Sequence, residues 1–177
     1  MRMLPRLRRF GSAKKGSAAL EFAIIAPMMI FLLFGSVDLL DMLSVNKRVQ
    51  NAAASLADVV ARDTGVSNDE IQGLWAALDV LMFPDNGGTL NIRVSSITIE
   101  STSTARVVWS EGHGMGARVA NSTVSLPSAM MIPGSSVIMT ESEYSYESPL
   151  GFLLPGAVTI NHDAYRRSRL VDPIPRV

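Results

Sequence analysis

Cysteine is absent from this chain, which excludes disulfide frameworks, thiol nucleophiles and cysteine-built zinc sites. Histidine occurs only twice, as His113 and His162. Neither lies in an H-E-x-x-H or G-x-S-x-G context, so the sequence offers no metal site and no catalytic residue, and no cofactor is expected. Charge is scarce at 18% and is missing altogether from Phe22 to Val37. Acid is missing from the first fifteen residues, which hold Arg2, Arg6, Arg8, Arg9, Lys14 and Lys15. The equal totals of 16 basic and 16 acidic groups therefore hide an asymmetry, because residues 16–177 keep 10 basic against 16 acidic groups, a net of −6. A body of that sign is a poor polyanion binder, and nucleic acid is not expected as a partner. The length of 177 residues allows one domain with an appendage.

The uncharged run is extended by Ala18, Ala19 and Leu20 before it and by Leu39, Leu40, Met42 and Leu43 after it. A bilayer span needs ~20 mostly apolar residues and tolerates ~17. A buried soluble helix would meet the same count, but six positive groups on one side and Asp38 and Asp41 on the other are the flanks of a membrane segment. By the positive-inside rule the leader stays in the cytoplasm and the rest crosses. A removable secretory signal would need small residues spaced as A-x-A just beyond the apolar core; the chain there reads Phe34-Gly-Ser-Val-Asp38. Val45, Val49, Ala52, Ala53, Leu56, Val59 and Val60 then recur at steps of three and four, so an amphipathic helix is expected to continue to about Asp63. Pro27 removes one ladder hydrogen bond inside it, and a kink is expected there.

At the junction of leader and helix stands Gly16-Ser17-Ala18-Ala19-Leu20-Glu21-Phe22, with a lone carboxylate at the mouth of a membrane segment. Such a group is expensive to desolvate and calls for a partner or a task. The stretch resembles the class III signal of type IV prepilins, in which a membrane peptidase cuts after glycine and the fifth mature residue is glutamate. With Ala23 to Pro27 and the later Leu32-Leu-Phe-Gly35, it is similar to the TadE-like minor pseudopilins of tight-adherence (Flp) pilus systems; TadF-like proteins share the pattern. Asp38 stands where that family leads one to expect glutamate. The resemblance implies processing between Gly16 and Ser17, and a charge pair between Glu21 and the new Ser17 amine of a neighbouring pilin or pseudopilin. It also implies helix packing through Ala18, Ala19, Phe22, Ala23, Ala26 and Pro27. The implied partners are a prepilin peptidase, other pilins and pseudopilins, inner-membrane assembly machinery and the lipid bilayer.

Residues 64–177 suffice for one small core. Ser67-Asn-Asp-Glu70 is a capping box opening a second helix to Met82, with Ile71, Leu74, Trp75, Leu78 and Leu81 on one face. Runs at Leu90 to Ile99, Ala105 to Trp109 and Ser136 to Tyr146 read as strands, giving a meander of three to five under the helices, hence α+β. Between Ser95 and Ser148, 18 of 54 residues are Ser or Thr, a composition that suits solvated faces and loops. Glu111-Gly-His-Gly-Met-Gly116 lacks the spacing of a nucleotide loop and reads as a flexible hairpin, with His113 and His162 exposed in loops. Asp38 and Asp41 mark the far edge of the span, Pro149 to Pro155 is an apolar loop docked on the core, Tyr165 to Arg169 is a solvated basic cluster, and the two prolines near the end make Asp172 to Val177 irregular.

The expected organisation is a cleaved leader (1–16), a helix membrane-spanning in its first half (17–63) and an extracytoplasmic α+β domain (64–177). The expected protein is not an enzyme but a bacterial inner-membrane, single-pass pseudopilin, with cytoplasmic N-terminus and periplasmic C-terminal domain, serving adhesion and secretion through the pilus. The alternative is a signal-anchored periplasmic binding module or enzyme that keeps its leader.

Overall fold

The computed structural model describes residues 14–177; the first thirteen residues of the expected leader lie outside the described residues. Helix α1 spans Lys14–Val60, 47 residues, or roughly 70 Å at ~1.5 Å per residue. Pro27 lies inside it. The two halves of α1 differ in what surrounds them. From Leu20 to Leu43 its large apolar side chains are mostly exposed, whereas Val45, Val49, Ala52, Ala53, Leu56, Ala57 and Val60 are buried. The steps of three and four among the buried residues turn one stripe of the rod toward protein. Each fully buried Val or Leu contributes roughly 1.5–3 kcal/mol, so this half is held by packing rather than by propensity.

Helix α2 (Asn68–Met82) opens on a complete capping box: the Ser67 side chain accepts from the Glu70 amide and Glu70 reaches back to the Ser67 amide. These bonds hold the Glu70 carboxyl below its usual range. Ile71, Leu74, Leu78 and Met82 are its buried face.

Four antiparallel strands follow: β1 (Asn91–Ile99), β2 (Ala105–His113), β3 (Ser136–Tyr146) and β4 (Val158–Arg167). The sheet order is β2-β1-β3-β4, which corrects the expected meander. The segment between β2 and β3 carries the chain past β1, so β3 pairs with β1 and not with β2. Strand β4, for which no strand was expected, takes in Tyr165, Arg166 and Arg167 of the basic cluster. A register shift between Ser96 and Ile97 marks a bulge in β1.

The sheet is covered on both faces. One face sends Ile92, Val94, Trp109, Ile138, Tyr146 and Ile160 against α1 and α2. The other sends Ile97, Ile99, Val107, Val137 and Met139 into a second cluster with Val124, roofed by Leu126, Met130 and Met131 from the connection between β2 and β3. Five hydroxyls in the sheet, on Ser95, Ser96, Ser136, Thr140 and Ser142, are buried and bonded, not solvated. Thr140 donates to the Ala53 carbonyl of α1 at 2.7 Å and so ties β3 to the helix backbone. Among the described residues every buried side-chain nitrogen or oxygen has a partner.

The chain end is irregular, as expected, yet firmly docked. Ile174 is fully buried. Its carbonyl accepts from Trp109 Nε1 at 2.8 Å, and Val66 exchanges backbone bonds with Pro175 and Val177.

The second cluster is pinned by one carboxylate. Arg93 of β1 donates to Glu141 at 2.6 and 2.7 Å, and Arg118 of the roofing segment donates to both of its oxygens at 2.7 Å. Burial pushes the Glu141 carboxyl up, but the bonds and charges of Arg93 and Arg118 outweigh it and bring it to about 2 from 4.5. A carboxyl lowered on folding stabilises fully above its unfolded value, and that stability is lost as pH falls from about 4.5 through about 2. Glu141→Gln should therefore lower stability at pH 7 by about 2 kcal/mol. The gap between variant and wild type should close as pH approaches 2, which thermal unfolding in detergent, followed by circular dichroism, would measure.

Candidate functional site

The site anticipated at the leader junction lies within α1. A side chain placed on Gly16 would meet no described atom within 4 Å. Among the described residues the fold supplies no steric reason for a glycine there. Ser17 Oγ donates to Glu21 Oε1 at 2.9 Å, one helical turn away. Ala18, Ala19, Phe22, Ala23 and Pro27 are exposed and Ala26 is half-buried in the single chain. Ser17 and Glu21 are thus brought together, while the small residues present an open surface.

A second constellation stands at the other end of the apolar run. Asp38 is fully buried, with 0% of its surface exposed. Its cover is the loop after β3: Ser148 Oγ donates to Asp38 Oδ1 at 2.5 Å, and the amides of Phe152 and Leu153 donate to Oδ2 at 2.8 and 2.7 Å. The loop thereby lies along the helix turns before Asp38, with the Phe152 ring 5.4 Å from Phe31 and 6.0 Å from Phe34. Gly35 permits this approach, because a Cβ there would stand 2.7 Å from Leu153 Cδ1. One turn further on, Tyr146 donates to Asp41 at 2.8 Å. Burial, then the Asp41 carboxylate, pushes the Tyr146 hydroxyl up to about 12, so it remains a donor throughout the ordinary pH range.

These two aspartates were expected to mark the edge of the span; their ligands are protein hydroxyls and amides. The loop they hold was expected to dock on the core: Leu154 does pack against the core cluster, while Phe152 and Leu153 reach further and lie on the apolar half of α1. The contacts continue along the helix. Asn46 bonds His162 at 2.9 Å, Arg48 bonds Asp85 at 2.7 Å, and Asp58 meets Arg62 and Arg169, the latter at 2.8 Å.

The two histidines do not lie in loops. His162 belongs to β4, and His113 ends β2, stacked on Trp75 with centroids 5.4 Å apart. The glycine-rich stretch is a built turn: a Cβ on Gly112 would collide with the Met115 carbonyl, and Gly114 has φ of +70°. Among the described residues no group of three or more His, Asp or Glu side chains is gathered as metal ligands would be.

The clasp between Asp38 and the loop escaped sequence reasoning because its halves are over a hundred residues apart. Its only signal is that Ser148 to His162 contains no Asp, Glu, Lys or Arg.

Fold and site together define an α+β protein whose long N-terminal helix is apolar enough to cross a membrane over one half, as in a single-pass anchor, and is built into the domain core over the other. Within that class, residues 16–58 match the family model described as TadE-like protein, so the chain carries a TadE-like domain. No curated protein and no solved structure matches it. The match runs from Gly16 to Asp58 and takes in the Ser17–Glu21 pair and the helix side of the second constellation, Asp38 and Asp41, while the loop that covers them lies beyond it.

If Asp38 holds the loop, Asp38→Ala removes the acceptor of two backbone donors. The amides of Phe152 and Leu153 should then exchange with deuterium much faster, while those of β1 and β3 keep their protection, as hydrogen exchange with mass spectrometry would show.

Proposed function

We propose that this chain is a minor pseudopilin taking part in the assembly of a tight-adherence pilus, processed after Gly16 by a prepilin peptidase and anchored in the bacterial inner membrane. The TadE-like domain at residues 16–58 supports involvement in a pilus system of that kind. The observation that carries the finer reading is the stretch Gly16-Ser17-Ala18-Ala19-Leu20-Glu21 at the head of the apolar run, where no neighbour in the fold requires the glycine. A peptidase that must fit the backbone beside the cut supplies the missing reason.

Cutting there creates a positive amine on Ser17 at the place where Glu21 already faces the Ser17 side chain. In an assembly of parallel helices Glu21 of one subunit can pair with the amine of the next. Two desolvated charges are tolerated as a pair and costly singly, so this contact fixes axial register while the exposed helix faces supply adhesion. The partners are other pilins and pseudopilins of the system and its inner-membrane machinery. The role is structural, with no chemical step of its own and no cofactor. Six basic groups before the span favour a cytoplasmic N-terminus and a periplasmic domain.

Gly16→Leu should leave an uncut precursor, visible as a longer protein by mass spectrometry from the native host. Glu21→Gln should be processed at the normal rate yet support fewer pili, since its partner exists only after the cut. A mature wild-type protein that still begins at Met1, or a Glu21→Gln variant that assembles as wild type does, would overturn this reading. An extracytoplasmic reporter fused after Val177 should be active, and a cytoplasmic one silent.

A further inference from the structure

We infer that the loop Pro149 to Pro155 is a second membrane contact, its apolar side chains lying among the acyl chains of the leaflet distal to the N-terminus, beside α1. This rests on the proposed anchor, with the charge-free run that begins at Phe22 ending its bilayer span at Val37, just before Asp38. Phe152 packs between Phe31 and Phe34, which lie six and three residues before Val37, the last residue of that span. It is therefore roughly 5–9 Å inside the distal boundary. A loop fixed at that level meets lipid on every side that the helix does not cover.

Its chemistry fits such a place. Leu150, Phe152 and Leu153 remain 49%, 47% and 41% exposed, and their surface runs on from the exposed Phe31 and Phe34. Between loop and helix lies an apolar cleft of about 240 Å³, lined by Phe31, Leu32, Gly35, Ser36, Leu39 and Leu153. Irregular backbone is tolerated at membrane depth only where its polar groups are satisfied by protein. Asp38 does this for the amides of Phe152 and Leu153. The service is mutual, since the loop removes from lipid a carboxylate that would otherwise be exposed at the membrane edge.

Tryptophan emission in the full-length protein tests this. Phe152→Trp and Leu150→Trp, made separately and reconstituted at low protein-to-lipid ratio, are compared in vesicles of ordinary and acyl-brominated phosphatidylcholine. The wild-type signal of Trp75 and Trp109 is subtracted, and Met28→Trp serves as the marker of the span itself. The expected result is blue-shifted emission from both loop positions, most of it lost in brominated lipid, as for position 28. Red emission quenched by aqueous iodide would place the loop in water. Blue emission indifferent to bromine would place it against a second copy of the chain or another protein. Either overturns the inference while leaving the anchor intact if position 28 is quenched; failure at position 28 overturns the anchor and the loop contact together. Leu150→Trp, at the more exposed position, carries the test if Phe152→Trp does not fold.

Discussion

One helix is the central core element over one half and apolar enough for a membrane anchor over the other, and the rest of the structure follows from that constraint. The first half of α1 carries exposed apolar side chains on all sides, which fits a single-pass membrane anchor, since lipid accepts no unsatisfied backbone or charged group. The second half is apolar along one stripe because only one side meets the sheet and α2. Nothing interrupts the helix between the two regimes. The apolar segment that fits an anchor and the central core element are therefore parts of the same continuous helix. The hydroxyl of Thr140 on the Ala53 carbonyl and the Tyr146 bond to Asp41 show how closely β3 follows the rod.

The transition between regimes is where charge placement matters most. Asp38 and Asp41 are the first acids after the apolar run, and both are spoken for by residues from the end of β3 and the loop beyond it. At Asp38 two amide donors and a hydroxyl donor replace water, and charge-assisted bonds of this kind are the strong ones. Glu141 solves the same problem on the opposite face of the sheet with two arginines, because there the task is to hold down a long connection rather than a short loop.

What the sequence made legible was local periodicity. The step of three and four from Val45 to Val60, the capping box at Ser67 and the β-branched runs of β1 and β3 each report a structure decided within a dozen residues. The α+β class followed from them, and the TadE-like resemblance of the N-terminal region from a separate signal, the stretch Gly16 to Pro27 with Glu21 and the later Leu32-Leu-Phe-Gly35. What stayed hidden was decided at a distance. Strand β4 reads as an arginine cluster until β3 is available to pair with it, and the strand order depends on which edge of β1 the returning chain finds. The serines of β1 and β3 look like surface residues because composition cannot tell a hydroxyl facing water from one facing a carbonyl across 2.8 Å, as Ser142 does with His162. Gly16 was legible in the opposite sense: it stands out in the sequence and is unexplained by the fold around it.

The docked chain end has a mechanical consequence. Val66 and Asn68, at the bend between the two helices, are bonded to Arg176, and Val66 also to Pro175 and Val177, while Ile174 fills the core below Trp109. The last residues thus clamp the far end of α1, as the loop around Asp38 clamps its middle. A force pulling the domain along the helix axis meets two fastenings set apart along one rod and must slide the whole interface at once. It finds no single edge from which to peel.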